Sequence, residues 1–249
     1  MLPMSPAAGL IGGGLAPYPV GAVNFDGTND YGAALLASIS DSKSGIVSVW
    51  NKAGTTGGNN FFIYTNTGGY VNIYKNNVDK YIIEAYNAAA SQILLLTSNT
   101  AYTANWRHIA ASWDLAAGLA HLYIDGADDE GAGTVKTNDT IDYTRASHSV
   151  GATVLGASLY NGDMAELYFA AGQYADITVP ATLQKWRRSN GTPANLGTDG
   201  STPTGTAPTA LWRCAAGAAA GTFYTDVSGN GNTLTEVGTL TTATTSPSD

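Results

Sequence analysis

Three groups of side chains in this sequence could do chemistry. The first is a run of tyrosines, Tyr64, Tyr70, Tyr74, Tyr81 and Tyr86, interleaved with Asn66, Asn72, Asn76 and Asn77. Flat rings beside amides can stack on sugar rings and bond their hydroxyls. Aromatics also favour strands, and every second strand residue faces a core, so ordinary packing accounts for part of the run. The second group is acidic: Asp125, Asp128, Asp129 and Glu130 in one turn, and Asp226 with Asn230 in another. Oxygens on a turn are hard ligands that suit calcium, although neither cluster has the spacing of a defined calcium loop. The third is the segment Asn161-Gly162-Asp163-Met164-Ala165-Glu166, with two carboxyl groups three residues apart.

Other reactive patterns are weaker. No G-x-S-x-G nucleophile turn occurs. Cys214 has no histidine near it in sequence and reads as a core thiol. Three histidines, His108, His121 and His148, lack a further ligand at diagnostic metal spacing. The formal charge is −8, and the one basic run is Arg187–Arg188. Nucleic acid and anionic membrane both need clustered cations, so neither is an expected partner. Charged residues make up 12% of the chain, about half the usual share. Such a surface suits hydrogen bonding through Ser, Thr and Asn, or cover by neighbours in an assembly. The first residues lack the charged start and apolar stretch of a signal peptide, so release by lysis, by a dedicated exporter or on a particle is the expectation.

The elements that must position these residues read as strands. Trp106–Gly126 is a hairpin: Ile109, Ala111 and Trp113 alternate with His108, Ala110 and Ser112, and Ala120, Leu122 and Ile124 alternate with His121 and Tyr123. A turn at Leu115–Gly118 sets Asp114 opposite Leu119, Trp113 opposite Ala120, Ala111 opposite Leu122 and Ile109 opposite Ile124. His108, Ser112, His121 and Tyr123 fall on the other, outward face. A lone hairpin is not stable in water, so a second sheet must cover it. Further strands are predicted at Ile46–Lys52, Phe61–Thr65, Tyr70–Lys75, Lys80–Tyr86, Gln92–Thr97, Val150–Leu155 and Met164–Ala170, punctuated by turn residues as in a sandwich. One helix is predicted over Pro180–Arg188, capped by Thr178 and stopped at Gly191, followed by a long surface loop from Ser189 to Pro208. Residues 1–21 read as an arm, and residues 22–249 as one domain.

The central hairpin, with its tryptophan, short apolar strand, Asp114, Gly118 and closing Asp125-Gly126, resembles laminin-G-like domains of the concanavalin A-like lectin and glucanase superfamily. Asn24-Phe25-Asp26-Gly27-Thr28-Asn29-Asp30-Tyr31 is similar to the opening of those domains. Ala210-Leu211-Trp212 and Asp226-Val227-Ser228-Gly229-Asn230-Gly231-Asn232 resemble the element that precedes that opening in the family, but here they come last. The resemblance implies an all-β, two-sheet antiparallel jelly-roll sandwich in permuted strand order, with the strand near Thr222–Asp226 beside that near Ala22–Asp26. Laminarinase-like members carry E-x-D-x-x-E, with the first Glu as nucleophile and the last as acid/base. Asp163 and Glu166 match, but Asn161 stands at the nucleophile position and cannot form a glycosyl ester. Catalysis is therefore not expected, and Glu166 is expected to be structural, with Arg107 or Arg145 as its partner. The resemblance also implies rim calcium at the two acidic turns; no other cofactor is expected. Three functions follow in order. The first is a non-catalytic structural or adhesion module on a bacteriophage virion surface, partnered by virion proteins or its own copies and made in the host cytoplasm. The second is a lectin domain for cell-surface glycans. The third is a degenerate glycoside hydrolase.

Overall fold

The structure is a computed structural model, and it describes residues 18–54, 60–65, 70–102 and 104–249. The first seventeen residues of the expected arm, and Asn66, lie outside the described residues. Strands β1 (Val20–Gly21), β2 (Val23–Asp26), β3 (Tyr31–Ala34) and β4 (Ser44–Ala53) come first. Strands β5 (Asn60–Thr65), β6 (Val71–Lys75), β7 (Tyr81–Tyr86) and β8 (Gln92–Thr97) follow. The hairpin is β9 (Arg107–Asp114) and β10 (Leu119–Ile124), and short β11 (Ala127–Asp128), β12 (Val135–Lys136) and β13 (His148–Val150) lead to the long β14 (Asn161–Ala171). Helix α1 (Pro180–Leu183) precedes β15 (Ala210–Trp212), β16 (Cys214–Ala215), a 3-10 turn at Ala220–Tyr224, β17 (Thr235–Val237) and β18 (Thr241–Thr242).

Two antiparallel sheets form the expected sandwich. The first has the order β11-β10-β9-β4-β14-β2-β18, with β15 also on β14; the second has the order β12-β8-β7-β6-β5-β13-β3-β17. The hairpin register is the one the alternation requires: Ile109 faces Ile124, Ala111 faces Leu122 and Trp113 faces Ala120. Those residues, with Val47, Val49, Leu167 and Phe169, meet Phe62, Ile73, Ile83, Leu94 and Leu96 of the second sheet in one apolar core. Trp113 is fully buried, and its Nε1 donates to the Tyr143 hydroxyl at 3.0 Å, which donates to the Ser44 carbonyl at 2.9 Å. Gly45 lies directly opposite Trp113 in the register. A Cβ there would run into the Trp113 ring and lie 2.6 Å from the Tyr143 hydroxyl.

The chain ends meet, though not by the expected strand. Asn24 pairs with Thr241, Ala33 with Thr235, and Val20 with Ala215. Val20 and Gly21 thus join the sheeted body rather than the arm. Residues 220–224 form the 3-10 turn instead, and Phe223 reaches Phe25 by an edge-to-face ring contact at 6.0 Å. Helix α1 ends at Leu183 rather than Arg188, because the next amides turn back onto residues three behind: Lys185 to Thr182 and Trp186 to Leu183, both at 3.1 Å. Its N-cap is Val179; Thr178 donates to Asp176 instead. The segment expected as a surface loop is partly internal. Leu196, together with Ile177, Leu183 and Trp186, packs on the outer side of the first sheet against Ile46, Ala110, Tyr168 and Ala170. His108 and Ser112, which the hairpin alone would leave outward, are buried as well: Ser112 Oγ accepts from the Ala175 amide at 3.1 Å, and the His108 ring lies 4.8 Å from that of Trp50. The strand expected at Val150–Leu155 stops at Val150, where Thr153–Ala157 turns on itself through Gly156 N to Thr153 O at 2.8 Å.

Since Gly45 leaves the space that the Trp113 ring fills, Gly45→Ala should destabilise the fold by about 1–3 kcal/mol. Urea unfolding of the two proteins checks this, and equal midpoints and slopes would show that the ring has room to move.

Candidate functional site

The outer face of the second sheet gathers most of the tyrosine run. Along β6, Val71 and Ile73 enter the core, which turns Asn72 and Tyr74 outward. Along β7, Tyr81, Ile83 and Ala85 enter the core, which turns Glu84 and Tyr86 outward. The register then sets Asn72 between Tyr64 on one side and Glu84 on the other. Glu84 is the centre of this face. Its Oε1 accepts from Asn72 Nδ2 at 2.8 Å. Its Oε2 accepts from Gln92 Nε2 at 3.0 Å and from the Tyr86 hydroxyl at 3.2 Å. Tyr70 stands at the end of the patch, edge-on to Tyr86 with centroids 6.4 Å apart. The Arg145 guanidinium lies 3.4 Å over the Tyr70 ring, and Arg145 pairs with Asp142. Partial burial, and then the Glu84 charge, raise the hydroxyl pKa of Tyr64, Tyr74 and Tyr86, that of Tyr74 to about 12. These hydroxyls keep their protons at neutral pH and remain donors.

Two members of the run stand elsewhere. Tyr81 is 2% exposed, faces the core and donates to Asn51 Oδ1 at 3.0 Å. It is five residues from Tyr86, and residues an odd number apart on a strand point to opposite faces. Asn76 closes the turn after β6, its side-chain oxygen accepting from the amides of Val78 and Lys80. No motif in the sequence singles out Glu84 or Gln92, and Arg145, expected beside Glu166, lies over Tyr70 instead. Counting back two residues from Tyr86 reaches Glu84, so the same alternation carried that signal.

The acidic turns are held by protein donors. Asp125 pairs with Arg107 at 2.7 Å and caps the His108 amide at 2.9 Å. Asp128 accepts the Glu130 amide, and Asp129 the Thr100 hydroxyl. Asp226 accepts four hydrogens, from the amides of Leu211, Ser228 and Asn232 and the Ser228 hydroxyl. Asn230 donates to the Pro208 carbonyl at 2.7 Å. Among the described residues, no three His, Cys, Asp or Glu side chains converge as a metal centre would require.

Glu166 lies on a bulge in β14, where two residues oppose one of β4 between Ala165 and Tyr168. The bulge falls where β14 changes partners, from β2 at Met164 to β15 at Leu167. Glu166 has φ +47°, a conformation that costs a non-glycine residue of order 1 kcal/mol or more. It is 2% exposed, and neither carboxyl oxygen has a hydrogen-bond partner among the described residues. Its nearest cation is Arg213, at 3.8 Å, rather than Arg107 or Arg145. Asp163 instead accepts from Asn24 at 2.8 Å and pairs with Lys52 at 3.6 Å. Burial raises the Glu166 pKa to about 8, against a smaller opposing pull from Arg213. A carboxyl closed off in this way has no open cleft in which to meet a glycosidic bond. His108 is fully buried with Nε2 2.9 Å from Ser48 Oγ, and burial lowers its pKa to about 3. Burial likewise lowers His148 to about 4.

The laminin-G-type model of the concanavalin A-like lectin/glucanases superfamily matches residues 26–173. The chain belongs to this superfamily. Its sandwich aligns with a Bacteroides ovatus protein named for carbohydrate binding at TM-score 0.62 and 12% identity, covering 92% of this chain and 62% of that one. It is also similar to a heptameric SAP-like pentraxin of Limulus polyphemus, at TM-score 0.49 and 13% identity over 66% of this chain and 82% of the pentraxin. Mouse laminin α1 domains LG4-5 align at TM-score 0.45 and 14% identity, over 64% of this chain and 43% of theirs. No curated protein matches the chain. At such identities the likeness extends to the fold, and the superfamily's laminin-G-like sandwich is what the chain shares.

The buried titratable groups set opposite pH trends. The folded state holds the Glu166 proton to about pH 8, whereas an unfolded chain releases it near 4.5, so stability falls as pH rises through that window. His108 and His148 bind protons near 6.5 when unfolded but only at about 3 and 4 when folded, so their contribution is complete above 6.5 and is lost on acidification. Between pH 6.5 and 8 the wild type should therefore lose about 1–2 kcal/mol that Glu166→Gln does not lose. Urea titrations at the two pH values measure this, and parallel losses would show that Glu166 ionises normally.

Proposed function

We propose that this chain is a non-catalytic glycan-binding module whose ligand lies across the outer face of the second sheet. The observation that carries this reading is Glu84, an acid fixed by Asn72, Gln92 and Tyr86 and flanked by Tyr64 and Tyr74 on one strand-supported face. A pyranose has an apolar C–H face and a rim of hydroxyls. Tyrosine rings take the first, and the carboxylate, amides and phenols take the second. A network formed before the ligand arrives loses less side-chain entropy on binding. Membership of a superfamily that includes lectins supports the reading.

The finer setting we propose is the surface of a bacteriophage particle, where such a module would grip host sugars and touch neighbouring coat or tail proteins. The low share of charged residues, 12%, supports a surface partly covered by neighbours. Genes for capsid, portal or tail proteins beside this one would bear it out, and polysaccharide-degradation genes there would count against it.

The binding face is tested with a broad glycan array. Wild-type protein should bind at least one neutral oligosaccharide class, and Glu84→Ala or Tyr74→Ala should weaken that binding at least tenfold with little change in melting temperature. Tyr81→Phe, altered on the core side of the same strand, should bind as the wild type does. A blank array, or binding that survives both outer-face substitutions, removes the reading.

A further inference from the structure

A second surface, on the opposite side of the sandwich, has the make-up of an anion site. Lys185, Arg187 and Arg188 are three of the chain's eleven Lys and Arg residues and fall within four positions. Arg187 lines a cleft of about 230 Å³ between the α1 segment and the β10–β11 turn, with Tyr123, Thr178, Gln184 and Ser189 also on its walls. Ligand pockets for drug-sized molecules run to roughly 300–1,000 Å³, so this cleft is sized for one small ring. A second cleft of about 470 Å³ shares Gln184, Arg188 and Ser189 with the first, leaving room for an attached unit.

The Arg187 guanidinium is seated rather than loose. A Cβ at Gly126 would lie 2.9 Å from Nη1, and one at Gly191 would lie 3.2 Å from Nη2. Both glycines have positive φ, +86° and +89°, so the turns that hold the guanidinium need glycine for backbone and space alike. No carboxylate lies within 4.0 Å of Arg187 among the described residues, and its Nε is enclosed without a hydrogen-bond partner. The charge of the guanidinium is felt by the imidazole of His108, which burial holds neutral. The guanidinium is thus seated between two glycine turns and has no acidic partner within 4.0 Å among the described residues.

We propose that this cleft binds a carboxylate-bearing sugar unit, a uronate, with Arg187 taking the carboxylate in its planar fork and Tyr123 lying against the ring. The fork geometry matches a carboxylate in two parallel hydrogen bonds. Gln184, Ser189 and Thr178 supply partners for the sugar hydroxyls. Acids border that side of the cleft: Asp128 stands opposite Tyr123 in the strand register, and Asp176 accepts from the Thr178 hydroxyl. They repel a dense polyanion and select a ligand whose negative charge is confined to the Arg187 end.

Calorimetric titration of the full chain with digalacturonate, with the matching neutral galactose disaccharide and with sodium sulfate tests the assignment. Digalacturonate should saturate at one per chain, bind at least tenfold tighter than either other probe, and weaken as salt is raised. Arg187→Gln should lose at least tenfold, Arg187→Lys part of that, and Tyr74→Ala on the far sheet nothing, which separates this site from the tyrosine face. Should Arg187→Gln fail to fold, the Arg187 Nε–H resonance of wild-type protein, shifting with digalacturonate but not with the neutral sugar, gives the same answer. No saturation, equal binding of sulfate or neutral sugar, or undiminished binding by a folded Arg187→Gln overturns it.

Discussion

The fit of Trp113 against Gly45 is the constraint on which the rest of the structure depends. The largest side chain of the hairpin fills the space left by the smallest residue of its neighbour, and Tyr143 closes the arrangement from a separate segment. A slip of one residue between β4 and β9 would put Ser44 or Ile46 opposite Trp113 and carry every alternate side chain to the wrong face. The core, the tyrosine face and the covering layer all inherit their orientation from this register.

That inheritance explains how much could be read from the sequence. The hairpin pairs, from Asp114 with Leu119 to Ile109 with Ile124, follow from alternation and turn length alone, and they stand as expected. Most strands did too, because each carries its own alternation. The tyrosine patch was legible as a composition but not as a surface. Tyr81 was grouped with Tyr86 by proximity in sequence, whereas strand geometry separates them, and the residue that organises the patch is an acid hidden among apolar neighbours. The third layer was not legible in the hairpin. Whether Ala110 meets water is decided by Ile177, Leu183, Trp186 and Leu196, far along the chain, and no local pattern reports a cover of that kind.

Glu166 shows the other limit. Its place in a motif suggested a partner, and Arg213 is a different one from those expected, because the bulge at the β2–β15 junction redirects the side chain. Bulges arise from competition between neighbouring strands, which a single segment cannot reveal. The result is an acid kept neutral by its surroundings at a position that active relatives of the laminarinase type use for proton transfer. The first position of that motif carries Asn161, which has no carboxyl group. The tyrosine face is built on strands of the second sheet, while the arginine cleft is built on the cover of the first, so the two can differ in ligand without disturbing each other.

The pairing of β18 with β2 and of β17 with β3 has a consequence for folding. Each sheet takes its outermost strand from a segment far along the chain from the strand that receives it. Contacts so distant in sequence close late, because the loop between them must be ordered before they contribute. Until they close, β2 and β3 are themselves outermost and present unsatisfied ladders, the kind of edges that recruit other copies. A variant without residues 235–242 would bare both edges at once.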